Sequence, residues 1–208
     1  PAVEALATLR TAVCINDSPK ALEAAYIDAT NILTVGPNQT EGWLMGNALL
    51  EARHAVQQRQ GMRGSINTTF EENVRIGFAL EADAVATTIL AAARMNAKGE
   101  SALWQAISHD PIYADLVHVY HANMNNTKSE AQATRAVFDA WYDGAARLRH
   151  SYHDTLQRTQ NEKRWPVDRP FFDKLPSNFF ERLGELGDGT NYGANQSPRI
   201  QKIMRLEG

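Results

Sequence analysis

The chain has 208 residues, 43% apolar and 22% charged, a globular balance that excludes wholesale disorder and collagen-like repeats. Lys and Arg number 21 against 24 Asp and Glu, and the net charge of −3 is the wrong sign for a protein whose main task is to wrap nucleic acid. A single cysteine, Cys14, excludes an internal disulfide framework and any Cys-rich zinc or iron–sulfur site. The longest apolar stretch, Ala84 to Ala93, is about half of the roughly 20 residues a membrane helix needs, so no membrane insertion is expected. The first residue, Pro1, is compatible with removal of an initiator Met or with cleavage of a targeting leader.

The apolar spacing reads as helical nearly throughout, and the hairpin dipeptides that would mark a sheet are missing from strand-like surroundings. Val3, Leu6, Leu9 and Val13 predict a first helix, ended by Asn16-Asp17-Ser18-Pro19. Leu22, Ala25, Tyr26, Ala29 and Leu33 predict a second, stopped at Gly36-Pro37-Asn38. Thr40 caps a third that carries Trp43, Leu44, Leu50 and Val56 as far as Gly61. Ser65 or Asn67 opens a short fourth helix with Phe70, Val74 and Phe78 on one face, and Asp83 caps a separate fifth from Ala84 to Ala97. A brief helix follows over Glu100 to Ile107, and Asp110-Pro111 starts one with Tyr113, Leu116, Val117, Tyr120 and Met124. From Ser129 to Gln160 a continuous stripe (Ala133, Val137, Trp141, Ala145, Leu148, Tyr152, Leu156) predicts the longest helix. Beyond Trp165 prolines and glycines leave room for one short helix, Ser177 to Leu186, in a mostly irregular tail.

Gly64 and Gly99 each close one helix and open the next, 35 residues apart, which implies helix pairs. The run from Phe70-Glu71-Glu72-Asn73 through Gly77, Asp83 and Ala84–Arg94 to Lys98-Gly99-Glu100 resembles a pentatricopeptide repeat over residues 65 to 108. It departs from that family in lacking an aromatic near Thr87 and a Pro before Asp83. The resemblance implies an all-α fold, a short solenoid of antiparallel helix pairs of the pentatricopeptide and tetratricopeptide kind over residues 1–163, with residues 164–208 as a Pro/Gly-rich tail. In size and helical plan the chain is similar to few-repeat members attached to the F1 sector of euglenozoan mitochondrial ATP synthase, which implies a mitochondrial location and protein subunits as partners.

Candidate chemistry is sparse. His54, His109-Asp110 and Asp154 loosely echo the metal set of phosphohydrolases, but Asp110 is already explained as a cap. His118 and His121 lie three apart without a carboxylate partner. Arg147 and His153 fit the loose Arg-x(4–6)-His spacing of helical HEPN ribonucleases, beside a solvated basic face that includes Arg149, Arg158, Lys163 and Arg164. No phosphate-binding glycine loop is present, and Cys14 has no local base to activate it. No cofactor is expected.

The tail aromatics Trp165, Phe171, Phe172, Phe179, Phe180 and Tyr192 need a surface to cover, either the chain's own helices or a partner. Together these readings predict a non-catalytic interaction subunit rather than an enzyme, with those six residues as partner contacts. The alternatives are an RNA-binding repeat protein, a virion connector or adaptor, and a helical ribonuclease.

Overall fold

The computed structural model describes residues 10–17, 24–62, 68–161 and 178–193. The first elements among the described residues are three short strands, β1 (Ala12–Ile15), β2 (Ala24–Ile27) and β3 (Ile32–Val35), in the order β1-β3-β2. β1 runs parallel to β3 with Val13 opposite Leu33, and β2 runs antiparallel to it with Tyr26 opposite Leu33. Over residues 24–35 the second expected helix is therefore corrected to a hairpin, and Val13 lies in a strand; Val3, Leu6, Leu9 and Leu22 lie outside the described residues. The connection is a 3-10 turn over Asp28–Thr30, closed by Asn31 in the left-handed region at φ 53°. That turn lacks the Asn-Gly or Asp-Gly signature. The period-2 signal is present but only four residues long: Leu33 and Val35 are buried while Ile32 and Thr34 face outward.

Seven helices follow: α1 (Glu41–Arg59), α2 (Phe70–Asn96), α3 (Ala102–Ser108), α4 (Ala114–Thr127), α5 (Glu130–Trp141), α6 (Ala145–Asn161) and α7 (Phe179–Leu183). Side-chain caps set three of the starts: Thr40 accepts from Trp43 N, Thr69 from Glu72 N and Ser129 from Gln132 N. Asp83 is no cap. It sits inside the continuous 27-residue α2, fully buried, with its charge met by Arg53 of α1. A mid-helix carboxylate reads as a boundary in sequence because nothing local reveals its partner. The predicted 129–160 helix is likewise two, broken at Tyr142–Gly144, where the buried Arg147 guanidinium packs against the Gly144 Cα in space a Cβ would take. Gly42 answers a similar demand, since a Cβ there would collide with the Ala102 carbonyl and hold α1 off α3.

The helices do not form a solenoid. Repeat units touch only their neighbours, whereas α2 contacts α1, α3, α5 and α6 and forms the centre of the main core with Ile76, Ala79, Val85, Ala86, Ile89 and Ala92. α2 is long and apolar enough to cross a bilayer, but 72% of its most apolar window is buried inside the protein. A second, smaller core lies where the sheet meets α1: Tyr26, Leu33 and Val35 pack on Ala52 and Ala55. Small residues on that face of α1 let the sheet approach, which brings β2 beside the helix surface that carries Glu51 and His54.

Candidate functional site

Glu51 and His54 stand three residues apart on α1, so both lie on one face of the helix, His54 against Glu81 of α2 and Glu51 against β2. His54 Nε2 lies 3.5 Å from Glu81 Oε1 of α2. His54 Nδ1 lies 2.7 Å from Gln57 Oε1. Glu51 Oε2 accepts a 2.7 Å hydrogen bond from the backbone N–H of Tyr26 in β2. Among the described residues β2 pairs with β3 on one side, and the Tyr26 N–H lies on its other edge, facing α1.

Behind this trio lies a second layer around Asp83. Arg53 donates to it through Nε at 2.6 Å and Nη2 at 3.0 Å, Gln57 through Nε2 at 2.6 Å, and the Tyr192 hydroxyl donates to Oδ1. Arg53 also donates to Leu183 O at 2.6 Å, so the C-terminal end of α7 is tied to the back of the same layer. Burial and then the Asp83 charge hold the Tyr192 hydroxyl protonated, well above the usual phenol range.

The charges of Glu51 and His54 are set by competition. Burial by itself would push the His54 imidazole down, but the Glu81 carboxylate, through charge and hydrogen bond, with Glu51 and Gln57 adding to it, lifts it to about 9. Burial pushes the Glu51 carboxyl above the usual range, with His54 and the Tyr26 N–H opposing the shift. A raised histidine value in the folded state contributes stability that is complete below its unfolded value near 6.5 and is lost as the pH passes about 9. The unfolding free energy is therefore expected to fall by about 3 kcal/mol between pH 6.5 and 9. His54→Gln should flatten that fall in a pH series of thermal melts.

The other histidines are not drawn in. His109 bonds the Gln105 carbonyl of its own helix and Asp110 holds a turn through Ile112 N. Asp154 pairs with His150 along α6. His118 and His121 are exposed. Arg147 is buried in a bidentate bond to Asp115 with carbonyls of Ile112 and Trp141, while His153 faces solvent, so the ribonuclease pair does not assemble. Of the tail aromatics, Phe179 and Tyr192 are 5% exposed within the chain's own core and Phe180 packs edge-on to Phe138. Trp165, Phe171 and Phe172 lie outside the described residues. A groove of about 710 Å³ runs between α1, the C-terminal half of α2 and the 185–189 loop; it shares Arg53 with the second layer but is lined by none of Glu51, His54 or Glu81.

The profile of a family described as a putative metallopeptidase family (DUF6782) matches residues 2–194. The chain belongs to that family. No curated protein and no solved structure matches the chain. DUF6782 membership overturns the pentatricopeptide resemblance. With it go the expectation of a non-catalytic subunit and its RNA-binding, virion-connector and ribonuclease alternatives, because the family description implies a hydrolase.

A metallopeptidase helix commonly reads His-Glu-x-x-His, the two imidazoles binding zinc and the carboxylate acting as base. Leu50-Glu51-Ala52-Arg53-His54 follows that register with leucine in the leading place. A search allowing one mismatch would have found it. A catalytic zinc takes three protein donors, and among the described residues no group of three His, Cys, Asp or Glu converges to hold a metal ion. Asp83 is consumed by Arg53, Gln57 and Tyr192. The described residues of this DUF6782 member thus do not make a complete catalytic metal centre.

Proposed function

We infer that the chain hydrolyses peptide bonds where α1, α2 and the outer edge of β2 meet, with Glu51 as general base. The observation that carries this reading is the Glu51–His54 pair itself, in the register of a peptidase helix, braced by Glu81 and adjoining a strand edge. Family membership supports the reaction class.

An extended peptide adding to the outer edge of β2 would offer a carbonyl to the Tyr26 N–H and displace Glu51 from it. Loss of that hydrogen bond makes the already buried carboxylate a stronger base at the moment the substrate backbone lies beside it. Hydrolysis requires water to give up a proton as its oxygen attacks the carbonyl carbon, and the departing nitrogen to gain one. Glu51 takes the first and returns it as the second. The protonated His54 places positive charge where the carbonyl oxygen becomes negative.

The test is incubation of the full chain with a defined pool of peptides, with products identified by mass spectrometry, in parallel reactions with added Zn²⁺ and with chelator. Cleavage at reproducible bonds is expected, and the two arms separate a metal-requiring reaction from a metal-free one. Intact peptides in both arms would overturn the reading.

A further inference from the structure

We propose that Gln57 is a positioning residue that fixes which nitrogen of His54 carries the proton and which faces Glu81. This deepens the reading of Glu51 and His54 as the working pair and rests on it. The orientation of the Gln57 amide follows from its neighbours. One end lies 2.6 Å from Asp83 Oδ2 and 2.9 Å from the Leu80 carbonyl, both acceptors, so that end is the NH₂ group. The other end, 2.7 Å from His54 Nδ1, is therefore the carbonyl oxygen, which only accepts. Nδ1 must then keep its hydrogen in every protonation state. The proton that comes and goes is the one on Nε2, the nitrogen directed at Glu81.

The order in which the bonds depend on each other makes Asp83 the root. Its carboxylate is held from two sides by Arg53 and Tyr192, is fully buried, and presents Oδ2 to Gln57. Gln57, itself fully buried, has no room to turn over without setting its carbonyl against a carboxylate. Orientation passes from a buried ion pair, through one amide, to the imidazole, the arrangement by which a second layer sets a catalytic histidine's tautomer.

The experiment is nitrogen-15 NMR of the histidine side chains in the full chain, with His54 assigned by its loss in His54→Gln, over a pH series that takes it to the neutral form. The wild-type chain is expected to show neutral His54 as the Nδ1–H tautomer. Gln57→Met, close in volume but without the amide, is expected to lower the ratio of Nδ1–H to Nε2–H about tenfold, the weight of one hydrogen bond of ordinary net strength. Gln57→Asn, too short to span Asp83 and His54, is expected to do the same and serves if the Met variant does not fold. Neutral wild-type His54 found as Nε2–H, or a ratio unmoved in a folded variant, overturns the proposal. Because no substrate is present, a chain that cleaves no peptide yet holds Nδ1–H refutes the peptidase reading alone. Cleavage with Nε2–H refutes only the role of Gln57.

Discussion

Arg53→Met is expected to cost about 3–5 kcal/mol of stability, the range seen when one member of a buried ion pair is removed and the other stays. The reason is Asp83. It is fully buried, and its two shortest-range charge contacts come from the Arg53 fork. Met fills much of the volume but leaves the carboxylate with only an amide and a hydroxyl, and leaves the Leu183 carbonyl without the guanidinium donor. For a chain of this length the melting midpoint should drop by about 6–20 °C. Arg53→Lys should recover only part of this, because one ammonium cannot reproduce two parallel bonds. The double variant Arg53→Met/Asp83→Leu should recover more than Lys does, since it removes the stranded charge along with its partner. Thermal melts of the four proteins check the order; a cost below about 1 kcal/mol for Arg53→Met would mean that water reaches Asp83.

Glu51→Gln is expected to separate activity from stability. The peptide-cleavage rate should fall by about 10²–10⁴-fold, the usual contribution of a positioned general base. The melting temperature should hold or rise, because a glutamine oxygen can still accept from the Tyr26 N–H while the cost of burying an ionised carboxylate disappears. A residue that served only the fold would show the opposite pattern. Equal cleavage by Glu51→Gln and wild type, with folding confirmed by circular dichroism, would remove Glu51 from the mechanism.

Local signals in the sequence account for what it reveals of this fold. Thr40 as a cap and the brief helix ending at Ser108 follow from residues within a turn of the feature they set, whereas Asp110-Pro111 makes a turn and α4 begins only at Ala114, with Tyr113 as its N-cap. The sheet was hidden because each strand is four residues long, too short to separate a period of 2 from one of 3.6, and because its turn uses a 3-10 step with Asn31 rather than a glycine dipeptide. Asp83 reads as a cap because its partner lies 30 residues away. The site fared similarly. His54 stood out as an imidazole, but Glu51 and Glu81 are ordinary helix carboxylates until α1 and α2 are packed together. A motif with Leu50 in its leading place does not announce itself.

The bond from Tyr192 to Asp83 spans 109 positions of the chain, and that from Arg53 to Leu183 spans 130. During synthesis at about 5–20 residues per second, α2 would thus wait on the order of 5–20 s for the hydroxyl that completes its central carboxylate. Nascent chains halted before residue 192 lack the hydroxyl donor, and the Asp83 layer stays incomplete until that residue is added.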